Sequence, residues 1–184
     1  MRLVIVRRAG ALTLLALTSC GRPAVESAPA APPARRAGLW EQTLTRDGKA
    51  GRLGVLTLCF DAATDRKLSV FGRHFGAGDC QRSVTSDPAG VYHFASTCSL
   101  GAGMVVKSTG TASGDFGASY KVHSEVSVAG APFEPANGMH VIDISGRYKG
   151  PCPAGMRPGD ASLGSGLKVN IDRLPQIAAA MAGS

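Results

Sequence analysis

Lys121, His123, Glu125 and Ser127 alternate along the chain with Val122, Val126 and Val128. Asp143, Ser145 and Arg147 alternate in the same way with Ile142, Ile144 and Tyr148. A period of two puts polar side chains on one face of a strand and apolar ones on the other, which is the pattern of an antiparallel sheet with one wet face and one dry face. Runs rich in Val, Ile, Thr, Tyr and Phe, punctuated by Gly, Pro and Asp, place strands near 38–45, 52–60, 80–87, 91–99, 103–112, 117–129 and 138–149, with a weaker one near 166–171. One helix is expected over 62–71 with Asp61 as its N-cap, and a short Ala-rich one after Pro175. Gly 24 and Pro 11 make up about a fifth of the 184 residues, which argues against long helices. The expected fold is therefore all-β with minor α. It is an antiparallel curved sheet or open barrel of about seven to eight strands, with one short helix after the second strand. No internal repeat stands out.

The first twenty residues read as an export signal. A basic start (Arg2, Arg7, Arg8) precedes an apolar stretch over 9–17 and then Leu17-Thr18-Ser19-Cys20. That ending resembles the bacterial lipobox, in which cleavage precedes a cysteine that carries lipid, so residues 1–19 are read as signal peptide and Cys20 as the lipidation site. An ordinary signal cut elsewhere is the alternative. Gly21 rather than aspartate after Cys20 favours the outer over the inner membrane. Acyl chains on Cys20 would hold the protein to the membrane, facing the periplasm. Residues 20–37 are Pro- and Ala-rich without apolar periodicity and read as an extended tether of up to roughly 50 Å. Residues 38–152 form the expected β domain, and 153–184 a C-terminal extension. The absence of any run of eighteen apolar residues excludes a polytopic helical membrane protein.

The formal charge of +7 suggests nucleic acid only until the charges are located. Six of the 20 basic residues precede Gly38, and from Gly38 onward 14 Lys/Arg face 12 Asp/Glu. Binding to phosphate backbones needs clustered cations, and none cluster in the sequence, so no nucleic-acid partner is expected.

Cys20 apart, four cysteines remain: Cys59, Cys80, Cys98 and Cys152. An exported address favours oxidation, and four cysteines allow three pairings. Asp87-Pro88-Ala89-Gly90 carries the residues of a type I turn, with Gly90 able to close a three-residue hairpin loop. Asp87 then faces Val91, Val84 faces Phe94, and Cys80 faces Cys98 as a non-hydrogen-bonded pair, close enough for a bridge. Cys59–Cys152 follows by elimination. Cys59–Cys80 with Cys98–Cys152 stands as the alternative, and zinc as a third reading that the lack of a CxxC spacing disfavours.

Gly38-Leu39-Trp40-Glu41, Leu58-Cys59, Cys80, Cys98 before a glycine-rich run, and Gly150-Pro151-Cys152 occur in this order. The ordered set resembles the proteobacterial envelope family catalogued as domain of unknown function 3617, over about residues 38–152. The resemblance implies export, often as a lipoprotein, and oxidised cysteines. It implies no catalytic residue, and residues 153–184 fall outside it.

The residues themselves offer little chemistry. His74, His93, His123 and His140 lie on separate segments, none in a metal-binding helix motif. His123 and His140 are the pair that neighbouring strands could bring together. Asp143 and Glu125 could pair in space, but carboxylates on strand faces usually serve solubility. No GxSxG elbow occurs, and the glycine patterns at 101–103 and 110–117 read as turns and bulges rather than phosphate cradles. Trp40 reads as a core anchor. No cofactor, no metal and no catalytic residue is expected. The chain is read as an exported lipoprotein acting as a non-catalytic binding or structural module, its candidate partners another envelope protein or a small apolar ligand held in the sheet's concavity. An envelope hydrolase or redox enzyme using His or Cys is the alternative. Free-thiol titration would expose the redox version.

Overall fold

The computed structural model describes residues 28–68, 79–163, 166 and 168–173. Residues 1–27, including the expected signal peptide and Cys20, lie outside them, as do His74 and the expected helix after Pro175.

The strands are β1 (Ala28–Pro29), β2 (Gly38–Arg46), β3 (Lys49–Phe60), β4 (Asp79–Ser86), β5 (Tyr92–Ser99), β6 (Val105–Gly114), β7 (Ser119–Ala129), β8 (Gly138–Gly150), β9 (Asp160–Leu163) and β10 (Lys168–Asn170). They form one open antiparallel sheet in the order β1-β4-β5-β6-β7-β8-β2-β3-β9-β10. The fold is the expected all-β one, with ten strands rather than seven or eight. The additions are β1, two residues long, and β9, four residues long, both too short to announce a period of two.

One helix, α1 (Ala62–Leu68), follows β3. Asp61 caps it, its carboxylate accepting the Thr64 backbone N–H at 2.7 Å. That bond is the main reason the Asp61 carboxyl sits below its ordinary pKa.

The turns set the register. Asp87 and Val91 close the β4–β5 hairpin through the Asp87 N–H and Val91 carbonyl at 3.0 Å, and Gly90 takes a φ of +78°. Cys80 consequently faces Cys98, and Val84 faces Phe94, as the turn residues predict. The β2–β3 turn is Asp47-Gly48, both at positive φ, the two-residue form that matches strand twist.

Alternation sorts the side chains. Trp40, Leu58, Phe60, Phe94, Ala112, Phe116, Tyr120, Val122 and Ala161 form the buried core on one face. Trp40 is wholly buried, packed against Tyr120 and Tyr148 at ring separations of 5.4 and 5.7 Å. The Arg35 guanidinium lies 3.9 Å from the Phe60 ring centre and 5.5 Å from that of Tyr120. These rings come from β3 and β7, three strands apart and about 14 Å distant in a flat sheet, so the sheet curls around its apolar face.

The stretch before β2 belongs to this packing. Ala28 and Pro29 pair with β4, and the Arg36 N–H donates to the Phe116 carbonyl at 3.0 Å. The buried Asp65 of α1 takes both the Arg35 backbone N–H, at 3.0 Å, and its Nε, at 2.5 Å. Trp40 Nε1 donates to the Arg36 carbonyl at 2.8 Å. Residues 28–37, expected as the end of a free tether, are thus a strap across the aromatic face. Its first residues are anchored by backbone pairing to β4, and its last two, Arg35 and Arg36, by ion pairing and stacking on aromatic rings. At the other end, β9 and β10 carry the C-terminal extension onto the edge of β3.

Candidate functional site

The sheet's other face is where a ligand could be received. In the middle of this face, the odd-numbered positions 41–45 of β2, 111–113 of β6, 119–123 of β7 and 143–147 of β8 carry short hydroxyls and longer charged or imidazole chains. In register, one row runs Thr111, His123, Asp143, Thr45, and the next runs Ser113, Lys121, Ser145, Thr43. A third brings Ser119 beside Arg147 and Arg147 beside Glu41. Because serine and threonine are short while Lys121, His123 and Arg147 are long, the face is hollowed in its middle. Two adjoining depressions result, of about 260 and 470 Å³, sharing Thr43, Ser113, Lys121 and Ser145.

The charges in this hollow are unevenly matched. Asp143 is engaged by His123, Nδ1 to Oδ1 at 2.7 Å. Glu41 stands opposite Arg147 in the strand register, yet its carboxylate turns to Lys149 at 3.8 Å. Lys121 and Arg147 are exposed, and neither has an acidic partner within 4 Å among the described residues.

The cysteines pair as Cys80–Cys98 and Cys59–Cys152, with Cα separations of 4.1 and 5.6 Å. The alternative connectivity is not the one formed. Cys59 lies between Leu58 and Phe60, so it points away from the aromatic face, and its bridge ties the chain after β8 down onto that side.

The described histidines do not meet. The β7–β8 register puts Asp143, not His140, opposite His123; His140 faces Val126 and projects from the other side of the sheet. Each described histidine instead has its own aspartate: His93 with Asp87 at 3.2 Å, His123 with Asp143, and His140 with Asp47 at 3.1 Å. Glu125 faces Val141, so it does not pair with Asp143. The Asp47 carboxyl is held below its usual range chiefly by the Val141 backbone N–H and then by His140, and that of Asp87 chiefly by the Val91 N–H and then by His93. His123 has the orienting carboxylate that a general base needs, but among the described residues no hydroxyl or thiol hydrogen-bonds it. Nor does any group of three His, Cys, Asp or Glu among them converge as a metal site would require.

On the aromatic side, burial pushes the Tyr120 hydroxyl's pKa up, opposed by Arg35, whose Nη1 donates to it at 3.0 Å; Gln42 Nε2 donates to the same oxygen. In the sequence, Arg35 falls within the expected tether, and Lys121 and Arg147 fall on the wet strand face. Hydroxyls at every second position of β2 (Thr43, Thr45) and β6 (Thr109, Thr111, Ser113), with Ser145 on β8, are the signal in the sequence that points to the hollow.

Fold and hollow together define a small all-β protein: one curled antiparallel sheet, two disulfides, and an open polar face. The chain belongs to the family described as Protein of unknown function (DUF3617), whose model matches residues 35–152. That match begins at Arg35, within the strap, and ends at Cys152. No curated protein and no solved structure matches the chain.

Proposed function

We propose that this protein is an exported lipoprotein of the bacterial cell envelope, anchored by lipid at Cys20 and facing the periplasm, that works by binding rather than catalysis. The observation that carries the binding reading is the separation of roles between the two faces. The aromatic face is filled by the protein's own rings and strap, whereas the polar face is hollow. A ligand is therefore received on the polar face, and an apolar one in the sheet's concavity is disfavoured. Two further features support the proposal: the lipobox-like run before Cys20, and two disulfides, which suit an oxidising compartment. All four cysteines of the domain are paired in bridges that join separate strands and loops, as structural staples do.

The test is Cys20→Ser with cell fractionation. The parent is expected in the membrane fraction, outer membrane above inner, and the variant released from it or left unprocessed. A variant that is processed and fractionates like the parent would sink the lipid anchor.

A further inference from the structure

We infer that the hollow of the polar face is a site for an anionic ligand whose phosphate or carboxylate oxygens are gripped by Lys121 and Arg147 over a floor of Ser113 and Ser145 hydroxyls. The inference rests on the binding reading above and gives it a ligand class. Four observations converge on it. First, the hollow's two carboxylates are already engaged, Asp143 by His123 and Glu41 by Lys149, which leaves Lys121 and Arg147 uncompensated. An incoming anion reaches both cations without first displacing an internal partner.

Second, the two cations are neighbours. Lys121 faces Ser145 across β7–β8, and Arg147 lies two residues beyond Ser145 on the same face. Such diagonal neighbours sit about 7–8 Å apart at their Cα atoms, within reach of one phosphate for two long side chains. Third, Lys121 stands between two serines in its row, Ser113 and Ser145, so its ammonium has room to swing over the hollow. The guanidinium of Arg147 adds a planar fork suited to paired oxygens.

Fourth, the ring side chains of the core come from the opposite face. Among the described residues, Tyr120 is the one Phe, Tyr or Trp that borders a depression, and it sends its hydroxyl to Arg35 and Gln42 on the core side. A sugar stacked on an aromatic ring, or an apolar ligand, would find no platform here. An anion finds hydroxyl donors as well as two cations.

Two sources in an envelope carry this chemistry, a soluble phosphorylated molecule and a lipid headgroup. The purified full chain is titrated with inorganic pyrophosphate, and separately with vesicles of phosphatidylglycerol against vesicles of phosphatidylcholine, with backbone amide shifts as the readout. Saturable shifts centred on Ser113, Lys121 and Ser145 are expected. Pyrophosphate binding assigns a soluble anion. Binding to phosphatidylglycerol vesicles alone assigns a headgroup. Lys121→Gln combined with Arg147→Gln is expected to weaken the binding roughly five- to tenfold, with an unchanged circular dichroism spectrum.

Lys107→Gln is the control. It removes a cation from the same face, six residues down the neighbouring register at Ser127, roughly 20 Å away. Equal weakening by Lys107→Gln overturns the site, since net charge alone would then be at work. Failure of both probes to bind also overturns it. Binding of maltose at Ser113 and Ser145, insensitive to the double variant, overturns the anion assignment while leaving the binding face intact. The anchor at Cys20 is tested independently, so the two failures do not resemble each other.

Discussion

The two faces of the sheet are built from alternate residues of the same strands, yet they obey different rules. On the aromatic face, Tyr120 packs against both Trp40 and Phe116, and the Arg35 guanidinium lies over the rings of Phe60 and Tyr120. Gly146 is needed there because the Tyr120 ring lies where a Cβ would stand, and Gly110 because the His123 carbonyl and the Phe94 ring close in. On the polar face, Ser113, Ser145 and Thr43 are spaced by the strands themselves and touch little. One face therefore fixes the fold, and the other is free to vary with what it binds. The lesson is that in a one-layer sheet, stability and recognition can be divided by parity along the chain.

Three substitutions sharpen that division. Trp40→Ala removes the most deeply buried ring and should cost about 3–5 kcal/mol, read as a large drop in the urea midpoint. A loss under about 1 kcal/mol would mean the aromatic face is not the source of stability.

The second prediction concerns acid. Asp115 Oδ1 accepts the N–H groups of Gly117, Ala118 and Ser119, and so shapes the turn that inserts the buried Phe116, at a φ of +53°, into the aromatic face. Those bonds, Ala118's first, lower its pKa from the ordinary 3.8. A group depressed in the folded state contributes its full stability above its unfolded pKa and loses it as pH falls through the folded value. The urea midpoint should thus be level from neutrality down to about pH 5 and fall below about pH 4. Asp115→Asn should flatten that fall and lower the midpoint at pH 7. An Asp115 carboxyl that titrates at or above 3.8 by NMR would contradict the turn described here.

The smallest effect belongs to the polar face. Ser145→Ala, exposed and unburdened by packing, should shift stability by no more than about 0.5 kcal/mol. A larger change would show the hollow to be part of the core after all.

Much of this fold was legible in the sequence because turn chemistry is local. Asp87-Pro88-Ala89-Gly90 fixed a hairpin, the hairpin fixed a register, and the register brought Cys80 to Cys98. Asp61 announced α1 for the same reason. The Asp47-Gly48 turn was equally legible; a strand start at 52 overlooked it, although Lys49 and Ala50 already pair with Arg46 and Thr45. Strand β10 falls within the weaker strand expected near 166–171, whereas the strap and β9 were not legible. Their positions depend on contacts distant in sequence, Arg35 to Asp65 and β9 to β3, and no period of two spans four residues or fewer. The hollow was half legible: alternation gave the polar face, but only the register across four strands shows Lys121 and Arg147 sharing it.

The strap has a mechanical consequence. A pull on the chain from before Ala28 does not fall on β2. It meets first the two residues zipped to β4, then the Arg35 guanidinium wedged over Phe60 and locked to Asp65, and then the backbone bond between Arg36 and Phe116. Load entering at this end is shared among an outer strand, a turn and a helix before it can reach Trp40, so the strap serves the sheet as strain relief serves a cable.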